Sequence, residues 1–238
     1  MKTEQSYKGK VVLAIGVHPD DIDFAASGTI AKMIKEGATA YHLLLTNGNK
    51  GSEDPKISKE KLAEIRRKEQ ITAAKILGFE KVFFLDHEDC NLVDDINLKE
   101  EIVYHIRKLK PDIVFCWDPT LIYSLRHNYI MHSDHRAAGQ ATLDAVYPLS
   151  RDRLTFQNLE NYGVKPHKVK AVYMINIDEG DNFFDISETI DLKIKALKAH
   201  KSQVSARHIE MIKGWAKETG RKVNFKYAEA FKKIELLQ

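Results

Sequence analysis

The stretch KVVLAIGVHPDDIDFAASGTIAKMIKEG, Lys10–Gly37, decides the architecture. KVVLAIGV is apolar after its first residue and rich in valine, the pattern of a strand buried on both faces. SGTIAKMIKEG places Ile30, Met33 and Ile34 on one helical face, with Gly37 near the C-terminus of that helix. Between strand and helix stands His18-Pro19-Asp20-Asp21. Two adjacent carboxylates repel each other, so something at this turn must offset the arrangement.

Working outward, the same alternation repeats. TAYHLLLTNG (Thr39–Gly48) reads as a second strand, and the polar NGNKGSEDPKIS follows it. KEKLAEIRRKEQITAAKILG (Lys59–Gly78) is a long helix with Leu62, Ile65, Ala73, Ile76 and Leu77 near helical spacing, stopped by Gly78. KVFFLD (Lys81–Asp86) is a third strand. NLKEEIVYHIRKLK (Asn97–Lys110) is a helix ended by Pro111, and DIVFCWDP (Asp112–Pro119) a fourth strand. Strands alternating with helices indicate βαβ units on a parallel sheet, in an α/β fold with right-handed crossovers. Ligands of such sheets bind beyond the carboxyl ends of the strands. His18–Asp21, Asn47, Asp86–Asp89 and Asp118 all follow strand ends, so polar groups collect on one rim.

Beyond Asp118 the pattern loosens. HSDHRAAGQATLDAVY (His132–Tyr147) is expected to form a helix starting near Asp134, and KVKAVYMINI (Lys168–Ile177) a strand. ISETIDLKIKALKAHKSQ (Ile186–Gln203) is expected as a helix with Ser187 as N-cap. Met211–Gly220 and Lys226–Leu237 are too short and mixed to assign. The chain shows no internal repeat and reads as one domain over residues 1–238.

Composition narrows the function. With 43% hydrophobic and 30% charged residues, the 238-residue chain is ordinary for a globular protein with a sizeable core. A net charge of +3 gives no reason to expect nucleic acid or an anionic membrane as partner. The two cysteines, Cys90 and Cys116, form no C-x-x-C pattern, which fits reduced thiols and a cytoplasmic location. The N-terminal MKTEQSYKGK lacks the apolar stretch of a signal peptide, and no run approaches a membrane span.

Two motifs carry the chemistry. His18-x-x-Asp21 in a tight turn can aim an imidazole and a carboxylate at one ion. His132-Ser-Asp-His135 sets two imidazoles about one helical turn apart. Catalytic zinc commonly takes three N/O ligands and keeps an open position for water. A cation held by one of Asp20 and Asp21 relieves their repulsion and leaves the other for proton transfer. Spacing does not say which histidine of the second pair is the ligand.

The other histidines are weaker candidates. His42 reads as a packing residue in its strand, and His105, His167 and His208 read as exposed. His127 is a candidate to line the site, and His87-Glu88-Asp89 is a candidate second acidic metal site that reads more readily as a solvated loop. Neither G-x-S-x-G, G-x-G-x-x-G nor a Walker loop is present, which argues against a serine triad and against a standard dinucleotide or ATP site.

With these residues in view the chain resembles the LmbE-like de-N-acetylases, the family of the N-acetylglucosaminyl-phosphatidylinositol de-N-acetylases (PIG-L). HPDD after the first strand, GTIAK behind it and H-x-D-H-R-A in mid-chain carry the resemblance. So do LAEIRRKEQITAAKILG, the late KALKAHKSQ and the C-terminal YAEAF, so it spans nearly the whole chain. The resemblance implies a Rossmann-like, mostly parallel sheet flanked by helices on both faces. It also implies a divalent metal, usually zinc, with Fe²⁺ as another such ion. It maps the metal ligands onto His18, Asp21 and His135, the general base onto Asp20, and a second catalytic histidine onto His132, with Asp134 beside it to orient that ring. The implied reaction is hydrolysis of the N-acetyl group of an N-acetylglucosamine-type sugar or glycoside, and relatives of this type often form a homo-oligomer.

Asn47, Arg66, Asp89 and Arg126 are the rim candidates for sugar hydroxyls, and Arg151 and Arg153 for an anionic aglycone. Four positions depart from the family pattern: Ile22 with Asp23 after it, the run FAAS, Ser133 and Trp117. The competing readings are a catalytically idle carbohydrate-binding relative and a metal-dependent hydrolase of another amide or ester.

Overall fold

The computed structural model describes residues 6–237. Strands β1 (Val11–Gly16), β2 (Thr39–Thr46), β3 (Lys81–His87), β4 (Ile113–Trp117), β7 (Ala171–Ile175), β8 (Asn182–Asp185) and β9 (Ala228–Glu235) form one sheet in the order β3-β2-β1-β4-β7-β9-β8. The first five run parallel, and β9 lies antiparallel between β7 and β8. A two-stranded ribbon of β5 (Tyr123–Ser124) and β6 (Tyr129–Ile130) stands apart from it. The chain winds from β1 outward to β2 and β3, then returns to β4 on the other side of β1. That reversal puts the topological switch point between β1 and β4, where an open α/β sheet has its crevice.

Helices flank the sheet. On one side α1 (Asp21–Ala25), α2 (Ser27–Lys35), α3 (Lys59–Leu77), α6 (Ile190–Leu197) and α7 (Ala206–Arg221) pack in succession. On the other, α4 (Ile96–Leu109) and α5 (Ser133–Asp144) pack together against β1 and β4. Leu13, Ile15, Leu43, Leu45, Val114 and Phe115 are buried, because central parallel strands have both faces covered. Ser58 caps α3 by accepting the Lys61 N–H, and Gly78 ends it at φ 90° in the left-handed conformation.

The C-terminal half corrects several expectations. The late helix begins at Ile190, and Ser187 does not cap it: its hydroxyl donates to Asp185 Oδ1 at 2.5 Å, and Thr189 holds the N-cap position. Past Leu197 the chain turns rather than continuing to Gln203. The unassigned segments become α7 and β9. Helix α7 opens with a capping box between Ser205 and His208, so His208 is half-buried rather than exposed. Ile190, Ile194 and Leu197 of α6 meet Ile209, Ile212 and Ala216 of α7 in a second apolar cluster. His105 is buried against Phe83 and Tyr104, and His167 is half-buried and bonded to the Pro111 carbonyl. Among the described residues no helix is long and apolar enough to cross a membrane.

Candidate active site

The site grows from the carboxyl end of β1. His18 leaves the strand with its backbone N–H donating 2.7 Å to Asp21 Oδ2, which closes the H-x-x-D turn. Asp20 adopts φ 95° at the N-cap position of α1, yet its carboxylate caps nothing. The backbone there is held from α3: Asp20 N–H donates to Gln70 Oε1 at 2.9 Å, and Gln70 Nε2 donates to Asp23 Oδ2 at 2.9 Å. His200 Nε2 meets the same Asp23 oxygen at 3.0 Å. Arg66 lies beneath the turn, donating to the Pro19 and Gly48 carbonyls at 2.6 and 2.8 Å, with Asp20 Oδ2 at 3.4 Å.

The second motif arrives on α5. His132 is its N-cap, and Nδ1 accepts the Asp134 N–H at 3.1 Å. His135 follows one turn later, its ring stacked on Trp117 at 4.2 Å between centroids. The helix approaches the end of β4 so closely that a Cβ on Gly139 would stand 2.5 Å from the Trp117 carbonyl oxygen. Glycine there is what brings His135 over the switch point.

Three ligand atoms converge. His18 Nδ1 and Asp21 Oδ2 are 3.4 Å apart, His18 Nδ1 and His135 Nε2 3.2 Å, and His135 Nε2 and Asp21 Oδ2 3.1 Å. Atoms bound about 2.0–2.1 Å from one tetrahedral zinc stand roughly 3.4 Å from each other, so this triangle is the size of a face of that tetrahedron. All three residues are nearly buried. On its other edge His18 Nε2 lies 3.1 Å from Asp89 Oδ1 and 3.4 Å from Asp134 Oδ2, off the line of a hydrogen bond.

The electrostatics call for a cation. Burial pulls the His18 pKa down, but contacts with Asp134, Asp21 and Asp89 outweigh it and raise it to about 12. Burial also opposes charge on Asp21, yet His135 and His18 hold it well below the usual carboxylate range. A pocket that binds one proton this firmly offers the same potential to a divalent ion. Asp20 behaves differently: burial pushes it up to about 7, Arg66 opposes this, and the neighbouring Asp21 adds to it. His132 is lowered, by burial first and then by the positive His18.

The structure brings His18, Asp20, Asp21, His132, Asp134 and His135 into one site, and Asp89 joins them through His18. The Asp134 carboxylate faces His18 and accepts the Cys90 N–H at 2.7 Å; it stands 3.9 Å from His132 Nδ1, which is positioned by the Asp134 backbone instead. Arg66 is buried under the turn, and Glu69 bonds Ser202 rather than Arg66. Asn47 Nδ2 turns toward the Asp86 carbonyl. His87 pairs with Glu101 and Glu88 with Lys59. Arg126 and His127 line a cleft of about 490 Å³ that starts at Asp21 and His135 and runs to Trp215. Arg151 and Arg153 do not line it, being bonded to the Leu237 carbonyl and Glu160.

Sequence reasoning gave Gln70 and His200 no role. The late KALKAHKSQ run was the visible signal for His200, whose ring reaches Asp23, whereas Gln70 had none.

Fold and site together define a doubly wound α/β protein with a His/Asp centre at the switch point of its sheet. The chain belongs to the PIG-L family: residues 13–146 match the GlcNAc-PI de-N-acetylase domain. The diacetylchitobiose deacetylase of Thermococcus kodakarensis is 36% identical over 201 residues, covering 82% of this chain and 70% of that protein. A probable N-acetyl-alpha-D-glucosaminyl L-malate deacetylase of Bacillus anthracis is 26% identical, covering 84% of each chain. The N,N'-diacetylchitobiose deacetylase of Pyrococcus horikoshii, solved with its inhibitor, superposes with a TM-score of 0.87 at 29% identity, covering 95% of this chain and 84% of that one.

Proposed function

We propose that this protein is a divalent-metal-dependent N-deacetylase of N-acetylglucosamine-type sugars or short glycosides, acting through one domain that spans the chain. The observation that carries the reading is the 3.1–3.4 Å triangle of His18, Asp21 and His135, with Asp20 adjacent in the turn and Asp21 and His135 at the head of the cleft. Two imidazoles and a carboxylate are borderline donors that suit zinc and leave a position open. A divalent ion held there supplies Lewis acidity toward an amide carbonyl and a water.

The protein's own groups do the rest. Asp20, poised near neutrality, takes the proton of the attacking water as the C–O bond forms. His132 accepts a backbone hydrogen bond at Nδ1, so its neutral ring carries the proton on Nε2 and can donate to the oxyanion. As the C–N bond breaks, Asp20 returns its proton to the departing amine, leaving acetate and a free amino sugar. The neutral state of His132 favours Asp20 for this last transfer.

The cleft fits the substrate class. Phe24, Tyr129, Phe183 and Trp215 offer apolar faces for sugar rings, and Arg126, Asp178 and Glu218 offer partners for hydroxyls. Because two of the relatives act on diacetylchitobiose, that disaccharide leads the panel for the test. Acetate release is measured from it, from free N-acetylglucosamine and from malate- and inositol-linked forms, with Asp20→Asn as control. Release that vanishes in the variant supports the reading; zinc-loaded protein silent on every member of the panel sinks it.

A further inference from the structure

Beside the triangle lies a second cluster with softer donors. Cys90 is exposed, in the left-handed conformation at φ 63°. Its Sγ stands 3.6 Å from His132 Nε2 and 3.3 Å from Asp89 Oδ1. The three ligand atoms lie within 4.8 Å of one another. We propose that Asp89, Cys90 and His132 form a second metal site, selective for soft divalent ions such as zinc or cadmium, whose occupancy inhibits the enzyme.

The geometry supports this. A sulfur about 2.3 Å and a nitrogen about 2.0–2.1 Å from one tetrahedral zinc are roughly 3.6 Å apart, which matches the Cys90–His132 separation. The Asp89 edge is slightly short and the remaining edge can be long, so a small side-chain adjustment closes the site. Cys90 is free to make it, being exposed at the surface. Thiolate with imidazole selects zinc and cadmium over magnesium and calcium.

Occupancy here removes two assets of the neighbouring centre. Metal on His132 Nε2 replaces the proton that the proposed mechanism offers to the oxyanion. It also moves the ring's remaining proton to Nδ1, which costs the hydrogen bond from Asp134 N–H. Asp89, whose Oδ1 faces His18 Nε2, is drawn away from that histidine. The lost cap makes the second site weaker than the first, so it fills only when metal is in excess.

The test uses the full chain carrying one equivalent of zinc. Cadmium is titrated while the thiolate-to-cadmium charge-transfer absorbance is followed. One cadmium per chain should saturate the band, which should be absent from Cys90→Ser, where Cys116 remains as an internal control. Its midpoint should rise at least tenfold in His132→Gln and in Asp89→Asn, and magnesium should not compete. No band, or a band equally tight in those two variants, would mean an isolated thiol and overturn the site. The inhibitory half rests on the deacetylase reading, whereas the absorbance half needs no activity, so the two can fail separately. Excess zinc should slow acetate release, with a midpoint at least tenfold higher in Cys90→Ser and an unchanged rate at one equivalent. Equal inhibition of both proteins overturns the inhibitory role.

Discussion

Asp20 combines three properties that rarely meet in one residue: φ 95°, near-complete burial and no capping duty. A non-glycine residue held in a left-handed conformation costs on the order of 1–3 kcal/mol, and such positions cluster where function requires them. Here the contacts from Gln70 and Arg66 hold the turn in place. Asp20→Asn keeps the shape and removes the base. It should lower kcat by about 10²–10⁴-fold while metal stoichiometry stays at one per chain by elemental analysis. Loss of the metal along with activity would assign Asp20 a ligand role instead. His42 makes a second point. It was read as a packing residue, and it is fully buried against Phe79 with neither ring nitrogen hydrogen-bonded among the described residues. Burial lowers its pKa from 6.5 to about 4. Between those values the unfolded chain binds the proton and the folded chain does not, so stability is full above pH 6.5 and falls as pH drops toward 4. That shift corresponds to about 2 kcal/mol lost between pH 7.5 and 5. Urea unfolding of His42→Leu should show a pH slope shallower by that amount; an unchanged slope assigns the acid sensitivity elsewhere.

Helix α3 shows how an element can be read correctly while its work goes unseen. Its length and its Gly78 stop were legible, because they follow from helical period and local backbone geometry. The partners of Arg66, Glu69 and Gln70 were not. Arg66 was placed on the rim. In the fold its guanidinium holds the HPDD backbone, and Glu69 reaches across to Ser202. Both contacts join segments far apart in sequence, and no local rule encodes them. The same is true of α4. Arg107 in its last turn is fully buried and donates to the carbonyls of Leu149, Ser150, Asp152, Thr155 and Phe156, pinning an irregular segment with no ion pair among the described residues. Arg107→Met leaves several of those acceptors unpaired and should cost about 3 kcal/mol of unfolding free energy, read as a lower urea midpoint. A change below about 0.5 kcal/mol would show that water satisfies the segment as well as arginine does.

For the molecule as a whole, Asp21, Asp89 and Asp134 crowd around one histidine, and because the unfolded chain does not assemble this cluster, the proposed metal centre predicts that folding is linked to cation binding. Zinc at about 100 times its dissociation constant should add about 2.7 kcal/mol of stability, and a chelator should lower Tm correspondingly. A Tm unmoved by chelation of a protein shown to carry zinc would contradict the assignment of the triangle. The sequence was enough for the parallel half of the sheet, the rim of polar groups and the two histidine motifs. Buried parallel strands, glycine helix stops and strand-end turns are written in runs of a few residues. Tertiary structure alone decided the antiparallel β9 and β8, the Asp20–Gln70–Asp23–His200 chain and the meeting of Cys90 with His132. Each of these depends on which distant segments share one face of the sheet. That is set by burying the whole apolar surface at once, a sum over the chain that no window of sequence contains.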